Sequence, residues 1–206
     1  VSAPDGERVL ALFDFDGTIT TREMLPDFVR YAVPTWRLRI GGALLMPMVL
    51  AYRAGMVGGT TIRAAISRIG FRGMPVEDYE AKALAFARDR LPGVLRADVM
   101  ARIAAHRAKG DTVVVVSGAY DAYLKHWCAA HGLDLIASTL EVRDGRLTGR
   151  YAGAQNVLAE KARRVRERYE LAAYREVHAH GDTPEDAHLL ALAQRRFYRG
   201  TERTTL

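Results

Sequence analysis

The chain has 206 residues, 49% of them hydrophobic and 26% charged, with a formal net charge of +6 at pH 7. That balance supports a packed core, excludes a disordered or fibrous chain, and leaves room for one domain or one domain with an insert. The positive charge points to anionic partners, but no zinc-ligand spacing, recognition helix or aromatic-interleaved basic motif accompanies it, so small anionic molecules are expected and nucleic acid is not.

In chain order, Val1-Ser2-Ala3-Pro4-Asp5-Gly6 shows no basic-plus-apolar signal pattern, and a cytoplasmic location is the expectation. Residues 8–19 read as a strand running into a turn. Residues 21–90 are helix-rich, with breaks expected at Pro34, Gly41-Gly42, Pro47, Gly58-Gly59 and Gly73. A helix over 94–109 leads to a β-branched strand over 112–116. A helix over 119–131, a strand over 134–138 and a hairpin over 140–151 follow. The one cysteine, Cys128, excludes a disulfide framework within the chain and reads as a buried helical side chain. A helix over 157–170, a strand over 175–180, a helix over 184–194 and a last strand near 196–199 complete the pattern. Buried strands alternating with helices predict a doubly wound, Rossmann-like α/β fold, a parallel sheet with helices on both faces. The helical block interrupts that alternation. It is expected to be an α-helical cap over 21–90, inserted into a core formed by 1–20 and 91–206.

Four segments carry candidate chemistry. Leu10-Ala11-Leu12-Phe13 runs into Asp14-Phe15-Asp16-Gly17-Thr18, an apolar strand closed by two acids and a turn. Open α/β sheets keep ligands at the carboxyl ends of their strands. Like charges this close are costly unless a cation lies between them or one holds a proton, so a metal, proton transfer or both is expected. A solvated Asp-Gly turn is the plain alternative. The strand ending at Val116 closes in Ser117-Gly118, a hydroxyl and a backbone N–H able to approach an anion. Lys161 is one of four lysines among 26 arginines and opens a helix; an ammonium suits a single phosphate oxygen, and a surface cation is its alternative. His180-Gly181-Asp182-Thr183-Pro184-Glu185-Asp186 is a third strand end in acid, where Asp182 suits a hard cation and Asp186 suits a helix N-cap or a lysine anchor.

These segments, in this order, resemble the four motifs of the haloacid dehalogenase superfamily, and within it the phosphoserine-phosphatase-like branch with a helical cap after the first motif. Thr20-Thr21-Arg22-Glu23 and the 140–149 hairpin support that branch. The resemblance implies a phosphatase with Asp14 as nucleophile and Asp16 as general acid and base. It implies Mg²⁺ held by Asp14, the Asp16 backbone carbonyl and Asp182. Ser117 and Gly118 would hold phosphoryl oxygens, Lys161 would balance their charge, and Asp186 would position Lys161 or reach the metal through water. Thr18 and Glu23 join Gly118 as expected substrate-binding residues. Asp at position 16 favours ester hydrolysis or mutase chemistry over the dehalogenase and ATPase branches, and argues against a receiver-like switch that stores aspartyl-phosphate.

The resemblance leaves the substrate open between a small and a lipid-like phosphate ester. Glu23 matches an acid that meets the substrate amine in phosphoserine phosphatases. The cap arginine they use for the substrate carboxylate falls here on Ser67, beside Arg68, and Thr183-Pro184-Glu185 replaces their smaller turn. Residues 40–52, IGGALLMPMVLAY, are nearly free of charge and too short to span a bilayer, which needs about 20 apolar residues. The expected reading is a buried helix of a small bundle. The competing one is an apolar wall for a lipid tail or a dip into a membrane surface.

Overall fold

A computed structural model describes residues 7–204, so the leader reading over residues 1–6 lies outside the described residues. Strand β1 (Val9–Phe13) is buried along its whole length, as a central strand covered on both faces must be. Helices α1 (Leu25–Ala32), α2 (Thr35–Arg53), α3 (Gly59–Phe71), α4 (Val76–Asp89) and α5 (Ala97–Ala108) separate it from β2 (Thr112–Tyr120). Then come α6 (Asp121–His131), β3 (Asp134–Ser138), β4 (Leu140–Arg143), β5 (Arg146–Tyr151) and α7 (Ala159–Arg168). Strand β6 (Glu176–Gly181), α8 (Ala187–Leu190), β7 (Arg195–Tyr198) and β8 (Thr201–Arg203) follow.

One sheet has the order β3-β2-β1-β6-β7-β8 and is parallel except at its β7–β8 edge. The chain winds outward from β1 to β3, then returns past β1 to begin β6. Winding therefore reverses between β1 and β6, and the crevice beyond their carboxyl ends is the natural ligand site. The expected Rossmann-like α/β architecture is what the chain adopts.

The period-2 alternation of β1 sorts the core. Val9, Ala11 and Phe13 join Val113 and Val115 in one buried cluster, while Leu10 and Leu12 join Val114, Val116 and residues of α7 and α8 in the other. The first cluster continues into the helices that follow β1. Phe28 of α1 lies among the rings of Phe71, Tyr79, Phe86, Tyr120 and Tyr123, with centroids 4.9–6.1 Å away. Tyr120 and Tyr123 belong to the sheet and its covering helix, so aromatic packing fixes the helical block over the carboxyl end of β2.

Hairpin β4–β5 leaves the sheet and grips the connection between α3 and α4. Gly73 N–H donates to the Leu147 carbonyl at 2.8 Å, Leu147 N–H to Met74 at 2.9 Å, and Val76 N–H to Gly145 at 3.0 Å. Gly149, at φ +78°, lies so close to α3 that a Cβ would stand 2.8 Å from Arg68 Cα.

The local expectations fail in instructive places. Helix α2 runs unbroken through Gly41-Gly42 and Pro47. Pro47 is exposed, so the carbonyl it cannot bond one turn earlier is open to water. The helix expected over 184–194 is a short turn and the four-residue α8. The buried-bundle reading of residues 40–52 is overturned. Gly41 alone in α2 is buried, whereas Ile40, Leu44 and Leu50 are 55%, 67% and 57% exposed. Helix α3 covers one side of α2, close enough that a Cβ on Gly41 would lie 2.6 Å from Ile69 Cγ2, and the opposite side stays open.

Candidate active site

Asp14 is the first residue past β1, and its N–H donates to the His180 carbonyl of β6 at 2.9 Å. That bond carries the sheet register one residue beyond the strand and aims Asp14 into the crevice between β1 and β6. The chain then makes a wide turn over Phe15–Ile19, with Thr20 N–H donating to the Phe15 carbonyl. Gly17 sits in this turn at φ +80°, and a Cβ there would stand 2.3 Å from Asp182 Oδ2. Only glycine allows both the backbone conformation and that approach.

Lys161, in the first turn of α7, reaches the same point. Its Nζ donates to Asp14 Oδ1 at 2.5 Å and to Asp186 Oδ1 at 2.6 Å, with all three side chains buried. Burial opposes the lysine's charge, but the two carboxylates outweigh it and hold the ammonium above its ordinary range. Asp186 Oδ2 accepts from Asp182 N–H, Thr183 N–H and the Thr183 hydroxyl, a capping arrangement at the turn after β6. Both oxygens of Asp186 are thus engaged, one by Lys161 and the other by the turn.

Oxygens of Asp14, Asp182 and Asp186 lie within 4.8 Å of one another. Because Asp186 is engaged on both oxygens, Asp14 and Asp182 are the carboxylates left for a ligand. Burial raises the Asp14 carboxyl well above its ordinary range against the pull of Lys161, and Asp186 and Asp16 add to the rise. Burial also raises Asp182, opposed by the Thr18 hydroxyl. An all-oxygen cluster with more carboxylates than its one ammonium balances suits a hard divalent cation. Thr18, expected at the substrate, instead donates its hydroxyl to Asp182 Oδ1 at 2.9 Å and orients that carboxylate.

Asp16 turns towards the helical block and accepts from Met24 N–H at 2.9 Å. Burial pushes its carboxyl up to about 7; the Met24 bond opposes this and Glu23 reinforces it. Such a group both gives and takes a proton near neutral pH. Glu23 itself is exposed. Ser117 is buried inside β2, two residues past the last pair with β1 in a strand that runs on to Tyr120 and not only to Val116, and its hydroxyl accepts from Ala119 N–H at 3.0 Å. Gly118 packs against the 156–157 loop, and a Cβ there would meet Val157 Cγ1 at 2.6 Å. Beside Gly17, Thr18 and Asp182 opens a cavity of about 270 Å³, with Arg96, Arg102 and Arg199 on its other walls.

Two residues at the site, Arg63 and Asn156, were missed by sequence reasoning. Arg63 of α3 reaches across to Glu185, with NH2 at 3.2 Å from Oε2, and Glu23 and Glu185 help hold its charge. Neither Ser67 nor Arg68 does this: Ser67 is buried against the Tyr120 hydroxyl at 2.6 Å, and Arg68 faces the hairpin. Asn156 is fully buried; its Nδ2 donates to the Ser117 carbonyl at 3.0 Å and to the Ile136 carbonyl at 2.9 Å. Asn156→Ala should strip two buried carbonyls of their partner and cost ~2–4 kcal/mol, read as a shifted urea midpoint. A loss under about 0.5 kcal/mol would show that water replaces the amide.

A family model described as haloacid dehalogenase-like hydrolase matches residues 11–191. Protein CicA of Caulobacter vibrioides (strain NA1000 / CB15N) is 34% identical over 197 residues, covering 94% of this chain and 86% of that protein. Among solved structures, a protein of unknown function from Bordetella pertussis Tohama I is similar with a TM-score of 0.74 and 24% identity, over 92% of this chain and 89% of that one. A substrate-bound phosphoserine phosphatase complex is similar with a TM-score of 0.64 and 21% identity, over 94% and 87%. At these identities the two structural likenesses are likenesses of fold.

Proposed function

The chain belongs to the haloacid dehalogenase-like hydrolases, and from that premise we propose that it is a Mg²⁺-dependent phosphomonoesterase working through an aspartyl-phosphate. The observation that carries this reading is the buried Asp14–Lys161–Asp186 chain, with Asp182 at its side and Asp16 poised near neutrality. Asp14, Asp182 and the Asp16 backbone carbonyl would hold Mg²⁺, which screens the anionic ester from the attacking carboxylate.

Lys161 engages Asp14 Oδ1, which leaves Oδ2 to attack phosphorus. The new O–P bond forms as the ester O–P bond breaks, and Asp16 gives its proton to the departing alkoxide. Asp16 then takes a proton from the water that attacks the aspartyl-phosphate, releasing phosphate and restoring Asp14. Ser117 and the Gly118 N–H hold phosphoryl oxygens while Lys161 balances their charge. The helices over 21–90 act as a cap, and Arg63 with Glu23 forms its charged face towards Asp16.

A phosphoserine-like substrate is the second reading, and one observation favours it. Arg63 supplies a helical-block arginine beside Glu23, a pair suited to a zwitterion. The deciding experiment is phosphate release from an aryl phosphate and a panel of phosphomonoesters, phosphoserine and lipid phosphates included. Release in water without an acceptor alcohol, abolished by chelator and poorly restored by Ca²⁺, is expected. Full activity in excess chelator would refute the metal assignment, and turnover only with an added alcohol would make the protein a phosphotransferase.

A further inference from the structure

Helix α2 is the least explained element of the molecule. No helix among the described residues is long and apolar enough to cross a membrane. Yet α2 turns apolar side chains to solvent in a regular row. Trp36, Ile40, Leu44 and Leu50 are 60%, 55%, 67% and 57% exposed, and Pro47 is exposed between them. The spacing follows the helical repeat, so these side chains share the face turned away from α3. Met46 flanks the row, and Met56, 75% exposed, follows shortly after the helix end. A contiguous exposed apolar row marks an interaction surface.

Charge identifies the partner. Residues 28–76 contain seven arginines and no aspartate, glutamate or lysine, more positive charge than the whole chain's net +6. Arg39 and Arg53 are exposed within α2 and have no partner among the described residues. An apolar protein partner would be served by the row alone. A partner met by an apolar row bordered by arginines, with no acid along 49 residues of chain, carries dense negative charge beside hydrocarbon. Trp36, on the row itself, suits the boundary between headgroups and acyl chains.

We propose that the outward face of α2 docks on an anionic lipid bilayer, with the helix lying in the plane of the headgroups. The row enters the acyl boundary while Arg39 and Arg53 meet lipid phosphates. This goes beyond the phosphatase reading and stands independently of it, because its readout is binding.

The test is flotation of the full chain with vesicles of phosphatidylglycerol and phosphatidylcholine, against phosphatidylcholine alone. Tryptophan emission gives a second readout. The chain has two tryptophans, and Trp127 is buried, so a blue shift on binding reports Trp36. Binding to the anionic vesicles about tenfold or more tighter than to the zwitterionic ones is expected, with a blue shift. Leu44→Glu with Leu50→Glu should reduce that binding about tenfold or more while leaving melting and aryl phosphate turnover unchanged. Equal partition into both vesicle types would overturn the proposal. So would unchanged binding by the double variant. A concentration-dependent dimer in the absence of vesicles that the double variant abolishes would overturn it too, and assign the face to a second copy of this chain.

Discussion

Asp14→Asn is expected to eliminate turnover, with a loss of about 10⁴-fold or more, because an amide cannot serve as the attacking oxygen nucleophile. The fold should survive. The amide oxygen can still accept the Lys161 bond now made to Oδ1, and one buried negative charge has been removed from a site with an excess of them. Steady-state release of phosphate measures the loss, and a melting temperature at or above the parent's separates it from unfolding. Asp16→Asn should behave differently. It keeps the nucleophile but removes proton transfer, a cost of ~10²–10⁴-fold, and phosphorylated enzyme should accumulate in rapid-quench samples. If Asp14→Asn kept near-parental turnover, the covalent route would be wrong whatever Asp16 did.

Lys161→Met should have the largest effect on stability. The ammonium is the hub of two buried ion pairs, and methionine fills similar volume without charge. Removing one partner of a buried pair costs ~3–5 kcal/mol, because the remaining charges are left uncompensated. The loss has a defined pH dependence. Burial already raises the folded Asp14 carboxyl above its ordinary range, and Lys161 is the largest influence opposing that rise. Without the lysine the folded carboxyl rises further. The folded variant then binds more protons than the unfolded chain above the ordinary carboxylate range, so its stability falls as pH rises. Urea unfolding in chelator at several pH values reads this directly. A deficit that shrank with rising pH would contradict the assigned geometry.

The grouping of the acidic residues was legible because it is local. Asp14, Asp16, Gly17 and Thr18 lie within five residues at one strand end, and Asp182 and Asp186 lie within one turn at another. Parallel strands bring such ends together whatever the details of packing. Arg63 was not legible, because it is one of 26 arginines and its partner Glu185 lies 122 residues away. Asn156 was hidden for a similar reason: its amide bonds carbonyls of two different strands, and nothing in its neighbours announces that. Thr18 was expected at the substrate, and the partner of its hydroxyl, Asp182, lies 164 residues away, beyond the reach of local pattern. The apolar run in α2 was misread because composition reports what a segment is made of and not whether anything covers it. Its glycines and Pro47 were read as breaks, but they lie on a helix held along one side by α3, where tertiary packing overrides weak local propensity.

The β4–β5 hairpin has a consequence for how this architecture can change. Its backbone is joined to the α3–α4 connection by main-chain hydrogen bonds donated by the N–H groups of Gly73, Leu147 and Val76, and Gly149 seats it against Arg68. The helices and the hairpin enter the chain far apart, yet each satisfies the other's main chain. Neither is a cassette that can be exchanged alone. Grafting the helices of a relative onto this scaffold would keep those hydrogen bonds only where its α3–α4 connection holds the same backbone geometry. Deleting the helices would expose a bare strand edge prone to pairing with other molecules. A chimera that moves residues 21–90 and 140–151 together keeps both partners of these bonds and is the one that should express as a soluble protein.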